Sequence, residues 1–555
     1  MDSLYDRALS EVGQEGKFQI RFDIFYNALL AGLWSLAFNN IILALTITQH
    51  NCKLPERPAN LSEYLWKLKY IPIVKEATGD NGTKFSACLI FTANNDTEAC
   101  SIYDYDKTWF ETTIPSDNNW VCENELNVVN IFSYSKIGET VGSFVFGWLG
   151  DVYGRKPTIV ISLAMLIFGR LISVLASSSF VLFTLGCVIA SFPSWSVPQG
   201  TATISMEISS PKRRANVATL RLVSTSIGLC LTPLFYWWLR SWKPYMIFTT
   251  VTLMPCLLFS WKIIESPRWL LVNREYGKCI EKLKVIAKVN NTNLSSNIEN
   301  DILTSGEDVL ASSTKLLGPL ALFSGWRLAI NTTLQLLLWV CVTLNYTAVL
   351  LSSAETSYGN PFLDFAGQSI AEIPGYFVAS WLADRVGRRY TGMISTTITT
   401  LIWIIYVFRD FSGTEWLQSQ WLGTFLVITN RLTITVSYYI IDLLNVELYP
   451  TCLRQTGMSL GNLVSGGAAA LAPYVLHLGR RFDIRYSSAI LIVTTIFCGI
   501  LTSFFLPETL NVKLPETLED AQNFGRRNRN YYMSVRVKEE TVDSNLPGNI
   551  PNTRH

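Results

Sequence analysis

Gly147-Trp-Leu-Gly-Asp151-Val-Tyr-Gly-Arg155-Lys156 and Ser380-Trp-Leu-Ala-Asp384-Arg-Val-Gly-Arg388-Arg389 are near copies, and each joins one long apolar stretch to the next. The spacing puts a carboxylate at the end of one hydrophobic helix, a glycine where the chain must turn, and two cations just beyond the apolar stretch. Two such loops describe a duplicated helical membrane protein, with a charged latch between helices that move against one another.

Outward from these loops, apolar stretches of about 20 residues, the length a bilayer demands, fall at 24–47, 129–150, 158–177, 180–203, 216–239, 244–264, 327–350, 362–383, 391–409, 418–443, 455–478 and 485–506. The expectation is an all-α membrane protein of about twelve spans, arranged as a cytoplasmic N-terminus (1–23), a six-helix bundle (24–264), a linker (265–326), a second bundle (327–506) and a tail (507–555). Composition agrees: 49% of the 555 residues are hydrophobic and only 16% charged, where soluble chains carry roughly 25%. A net charge of +2 builds no basic face for nucleic acid, and three histidines without metal-ligand spacing argue against a zinc enzyme or any other metal or cofactor.

Lys and Arg cluster at Arg155-Lys156, Lys212-Arg213-Arg214, Arg385 with Arg388-Arg389, and Arg526-Arg527. With twelve alternating spans these fall on one side, which the positive-inside rule makes the cytoplasm, together with both termini. The opposite side receives a polar loop, 48–128, holding Cys52, Cys88, Cys100 and Cys122 and the glycosylation acceptors Asn60, Asn81 and Asn95. Four cysteines and three acceptors in one loop suit an oxidising extracellular space at the plasma membrane and two disulfides, in any of three connectivities.

Three motif pairs recur at nearly one offset of about 240 residues. They are Asp151 with Asp384, Glu207-x6-Arg214 with Glu447-x6-Arg454, and Glu265-Ser-Pro-Arg with Pro507-Glu508-Thr509. Carboxylates and arginines at helix ends often only snorkel to the interface, but that does not make three pairs recur in order.

The two Asp-x-x-Gly-Arg-[Lys/Arg] loops resemble the signature of the major facilitator superfamily. Within it, Glu11-Val-Gly-Gln-Glu-Gly-Lys-Phe-Gln19, His50-Asn-Cys52, Trp120-Val-Cys122, Glu265-Ser-Pro-Arg-Trp-Leu-Leu271, Glu447-Leu-Tyr-Pro-Thr451 and Leu506-Pro-Glu-Thr509 are similar to the organic ion transporter family. The resemblance implies two six-helix bundles around a central cavity, alternating access, and a small organic ion as substrate: a cation first, with an anion or a zwitterion such as carnitine as the alternative.

Asp151, Arg155, Glu207 and Arg214, with their counterparts Asp384, Arg388, Glu447 and Arg454, are expected at the cytoplasmic mouth. Ion pairs among them would lock that side while the other is open. Substrate contacts are sought among ionisable and aromatic groups inside spans, where a charge is costly and usually functional: Arg170, Arg221, Tyr346, Glu372, Tyr438, Tyr439 and Asp442. Glu372, in Ala371-Glu-Ile-Pro-Gly375, looks like the cation-carrying branch of the family, and Tyr346 matches an aromatic that this branch turns toward substrate. A ring face attracts an amine by about 0.5–2 kcal/mol.

One position departs from the pattern. Nine residues after Gly457 the family places an acid in cation carriers and an arginine in anion or carnitine carriers, yet here stands Gly466. Asp442 either replaces the missing acid or pairs with an arginine at the interface. Arg221 and Arg170 would bind a carboxylate if they reach the cavity; Arg221, seven residues beyond Arg214, is also placed to snorkel to the inner surface. With no Gly-x4-Gly-Lys-[Ser/Thr] loop, ATP does not drive the cycle directly, and uniport or sodium or proton coupling stay open. No nucleophile and base converge in the spans as a membrane enzyme requires; a non-transporting metabolite sensor of the same fold is the reading from another class.

Overall fold

The computed structural model describes residues 2–523 apart from 56–57, 59–61, 75–83, 93–95, 194, 305–318, 353–359, 412–413, 415, 418, 511–514 and 516–517. Twelve long helical segments coincide with the twelve apolar stretches: α1 Lys17–Ala44, α2 Leu126–Val152, α3 Arg155–Leu175, α4 Phe180–Glu207, α5 Pro211–Leu239, α6 Trp242–Lys262, α7 Trp326–Ser352, α8 Pro361–Arg385, α9 Arg388–Phe411, α10 Gln420–Leu448, α11 Thr451–Arg481 and α12 Arg485–Phe505. The packing repeats as the motifs do. In the first half α1 lies on α5, and α2 and α3 both lie on α4; in the second, α7 lies on α11, and α8 and α9 both lie on α10.

Ten of the twelve are long and apolar enough to cross a membrane by length and composition, and the two that fall short are α2 and α8. They are repeat partners, and each packs across the molecule, α2 along α11 and α8 along α5. A helix that faces the other half instead of lipid can carry charge. Accordingly α2 holds Lys136 and Glu139, ion-paired at 2.8 Å, and α8 holds Asp364 and Glu372, both buried.

The loop between α1 and α2 forms three short antiparallel pairings, His50–Cys52 with Tyr103–Tyr105, Ile73–Val74 with Lys84–Phe85, and Leu89–Phe91 with Thr97–Ala99. Of the three connectivities open to its cysteines, the bonds are Cys52–Cys100 and Cys88–Cys122. The acceptors Asn60, Asn81 and Asn95 lie outside the described residues. The loop is anchored on the first half, where Arg240 donates to the carbonyls of Lys107 and Thr108, and Trp242 Nε1 to Asp117 Oδ2 at 2.8 Å. It also reaches the second half, Phe110 packing on Phe362 with ring centres 4.9 Å apart.

On the opposite face the linker forms short helices, Pro267–Val272, Tyr276–Asn290 and Ser296–Thr304. The helix Asp2–Val12 packs on them through Tyr5, Leu9 and Val12 against Leu271, Leu283 and Ile286. Asn290, a sequon asparagine, is the tie: its Nδ2 donates to the carbonyls of Val12 and Gly13, and its Oδ1 accepts the Phe18 N–H at 2.9 Å. Leu518–Asn523 is a helix whose Ala521 is buried against Leu322, Leu328 and Tyr449, because its apolar residues find a seat beside the second half.

Candidate functional site

Both signature loops build the same device. Gly154 and Gly387 take positive φ, +101° and +105°, which L side chains rarely adopt. The turn exposes the first N–H groups of α3 and α9, which no residue within the helix can satisfy. Glu265 accepts those of Arg155 and Lys156 at 3.0 and 3.1 Å, and Glu508 those of Arg388 and Arg389 at 2.9 and 3.2 Å. In the first half Arg155 then sits 3.3 Å from Asp151 and 3.8 Å from Glu207. In the second Arg388 sits 3.4 Å from Asp384 and 3.2 Å from Glu447. Arg214 donates from Nε to the Met206 carbonyl at 3.2 Å, while the Arg454 side chain lies outside the described residues.

Each of these ion pairs stays inside its own half. Between the halves, on this linker side, lies a cavity of about 380 Å³, walled by Phe146, Asp151, Arg155, Gln199 and Thr203 from the first half and by Met458 and Asn462 from α11. Toward the loop side the halves touch. Ser133 donates to the Ala470 carbonyl at 2.8 Å, Phe362 packs on Tyr236, and a Cβ at Gly466 would overlap Thr140 of α2. Gly466 thus permits close approach of α2 and α11.

Deep in the interface, four helices converge on Glu372. Its carboxylate forms an ion pair with Arg431 of α10, the two side chains 4% and 1% exposed. Tyr346 of α7 donates its hydroxyl to Oε1 at 2.9 Å and accepts from Arg431 Nη2 at 2.9 Å, while the guanidinium lies over its ring at 4.0 Å. Ser226, from α5 in the other half, donates to Oε2 at 3.0 Å. A charge so far from water persists only when paired and hydrogen-bonded, and Glu372 has a cation and two hydroxyls.

A second pair of opposite charges faces the same interface. Arg221 of α5 and Asp442 of α10 lie near enough to feel each other's charge, with the rings of Tyr376 and Tyr438 beside Arg221. Tyr438 packs on Tyr346 and edge-on to Trp339, ring centres 5.6 and 5.9 Å apart. Tyr439 is half-buried among the apolar side chains of the second half. Arg170 stands elsewhere. It is 1% exposed within the first half, its Nη2 donating to the Phe38 carbonyl at 2.6 Å and its Nε to that of Ala37 at 3.4 Å.

The sequence reading passed over Arg431, Tyr376 and Ser226. Arg431 had a signal, since it is an arginine in the middle of the stretch 418–443, the kind of residue that singled out Arg170 and Arg221. Ser226 had none, because a serine in a span is ordinary until a carboxylate is found opposite. Glu265 and Glu508 were noticed as repeats, but their role as caps needed the three-dimensional turn.

A family model described as "Sugar (and other) transporter" matches residues 28–520. The organic cation transporter protein of Drosophila melanogaster is 27% identical over 545 residues, covering 94% of this chain and 95% of that one. Solute carrier family 22 member 4 of Mus musculus is 26% identical over 544 residues, with 93% and 94% covered. Organic cation/carnitine transporter 2 of Homo sapiens is 24% identical over 540 residues, with 93% of each covered. Among solved structures, the partially occluded inward-open conformation of the xylose transporter XylE from E. coli superposes with a TM-score of 0.56 at 13% identity, over 88% of this chain and 99% of that one. Duplicated signature loops, two halves packed across α2–α11 and α5–α8, and a match over residues 28–520 make this chain a member of the sugar (and other) transporter family, a multi-pass membrane transporter with the major facilitator fold.

Proposed function

We propose that the chain carries small organic cations and other amine-bearing solutes across the plasma membrane by alternating access, and that Glu372 is the group their ammonium end meets. The observation that carries this reading is Glu372 itself, a buried carboxylate at the interface whose ligands come from both halves, Ser226 from one and Tyr346 and Arg431 from the other. The relatives named as organic cation transporters support the substrate class. Tyr346, Tyr438 and Tyr439 supply ring faces, and Asp442 a second acid. The loop side faces the exterior, with glycans at Asn60, Asn81 and Asn95, and both termini are cytoplasmic. Asp151, Arg155, Glu207 and Arg214, like Asp384, Arg388 and Glu447, brace the linker face of each half, and these groups together with Arg454 exchange partners across it when that side closes. A cation is driven inward by the membrane potential, about 2.3 kcal/mol per charge per 100 mV.

Arg431 favours a second reading. Two arginines, Arg431 and Arg221, stand against two acids, so the interface is amphoteric and suits a zwitterion that engages Glu372 and Arg431 together. Uptake of labelled tetraethylammonium, carnitine and p-aminohippurate into polarised and depolarised cells expressing the chain separates these readings. Potential-dependent tetraethylammonium uptake lost in Asp442→Asn or Glu372→Gln supports the cation reading, and carnitine uptake indifferent to Asp442 replaces it with the zwitterion. Absence of saturable flux for all three would sink both.

A further inference from the structure

The halves meet on the loop side along a polar seam between α2 and α11. Ser133 donates to the Ala470 carbonyl, and Tyr474 to Asn130 Oδ1 at 2.7 Å. The seam ends at Glu125, just before α2, whose Oε1 lies 3.1 Å from Arg480 Nε and 3.2 Å from His477 Nδ1. One carboxylate oxygen is therefore held by two basic groups of the other half, and all three side chains are mostly buried, at 15–29% exposed. On the linker side the opposite holds, since the Arg155 and Arg388 pairs never leave their own half.

Opening the loop side must part α2 from α11 and so must break the contacts of Glu125, whereas the Arg155 and Arg388 pairs on the linker side, each within one half, need not break for it. His477 carries charge only when protonated, the property that makes a histidine a proton-sensitive contact. Among the described residues, the charged groups placed against it are Glu125, from the loop end, and Arg480, one turn on along its own helix. From α1 and α7, Leu45, Thr46 and Leu351 wall this corner and bring no charge.

We propose that Glu125 is the latch of the loop-side gate and that a proton on His477 tightens it, so that acid on the loop side holds the transporter with that side closed. The sign follows from the pairing. With His477 neutral, Arg480 is the cation paired with Glu125 and the imidazole offers at most a hydrogen bond; with His477 protonated, a second cation binds the same carboxylate, and that contact exists only while the loop side is closed. By linkage, closure favours uptake of the proton and the proton favours closure. A partly exposed ion pair of this kind is worth about a two- to fivefold change in the closed-to-open ratio.

The gate does not need a substrate to be tested, which keeps it separable from the transport reading on which its orientation rests. Spin labels on the exposed residues Asn124 and Arg481, in the purified full-length chain, report the separation of the two helix ends. The closed fraction rises two- to fivefold relative to the open one between pH 7.5 and 5.5 in the wild type. In His477→Gln, and in His477→Phe as a second variant, the ratio stays at its pH 7.5 value. In Glu125→Gln the ends part more often at both pH values, again without pH dependence. A pH response that survives in both His477 variants overturns the proposal, as does a Glu125→Gln population indistinguishable from wild type. If the distances respond as stated while tetraethylammonium uptake is absent, the substrate reading fails and the gate stands.

Discussion

Arg170 and Arg431 are both 1% exposed and both sit in the middle of a span, yet their surroundings differ. Arg170 leans on two main-chain carbonyls of α1, within one half. Arg431 reaches one main-chain carbonyl, that of Tyr346 at 3.4 Å, but its shorter contacts are to a carboxylate and a phenol, and that carboxylate also touches Ser226 in the other half. Carbonyls of an unbroken helix cannot leave, an arrangement that suits Arg170 to tying α3 to α1. A carboxylate and a phenol on separate helices can part when those helices move, and under the proposed function it is there that a substrate competes with Arg431. Burial alone does not distinguish a structural charge from a functional one; what matters is whether its partners can move.

The sharpest way to break this contrast is to remove one member of the Glu372–Arg431 pair. Glu372→Gln leaves a buried guanidinium without its anion and is expected to cost about 3–5 kcal/mol, seen as a large drop in the thermal unfolding midpoint together with loss of uptake. Glu372→Gln combined with Arg431→Met should recover most of that stability and none of the transport. Recovery of transport would mean the pair is only a brace, like Arg170.

Arg170→Met should lower stability by about 1–3 kcal/mol, through loss of its charged hydrogen bonds, and leave the substrate KM unchanged. A shift in substrate selectivity would place Arg170 in the substrate path and erase the distinction. Of the same order are Gly154→Ala and Gly387→Ala. Each forces a side chain into positive φ against Glu265 or Glu508, at about 1–3 kcal/mol. Because the two loops are repeats, the two losses should agree within about 0.5 kcal/mol; a one-sided effect would show that the halves no longer do the same work. The smallest effect concerns Cys279, in the linker helix Tyr276–Asn290. Burial pushes its thiol up to about 12, so at pH 8 it is almost wholly protonated and should resist alkylation in the folded chain, reacting only after unfolding.

Most of the fold could be read along the chain because its cause is local. A span announces itself by length and hydropathy, and a duplicated loop by its spacing, so the twelve segments and their order were visible without any long-range contact. Even the two weakest spans, α2 and α8, were found, and their weakness acquired a meaning only when each proved to face the other half. The site was legible in part. Glu372, Tyr346, Asp442 and Arg221 stood out as polar groups in apolar surroundings. Arg431 stood out equally and was passed over, although it lies 59 residues from the Glu372 it neutralises. Ser226 lies 146 residues away from Glu372 and could not have been chosen from among the many serines of the spans.

What the sequence alone determined was the class of molecule: a duplicated, twelve-span membrane transporter with a disulfide-stapled loop and charged motifs repeated in each half. Hydrophobicity and periodicity act over a few turns of helix, and the bilayer turns them directly into spans. The tertiary structure decided which charges meet: that the Arg155 and Arg388 clusters close within halves, that Glu125 closes across them, that Cys52 bonds Cys100, and that Arg431 answers Glu372. Electrostatic partnership depends on distances of a few ångströms between residues far apart in the chain, and only the packing of α2 on α11 and of α5 on α8 sets those distances.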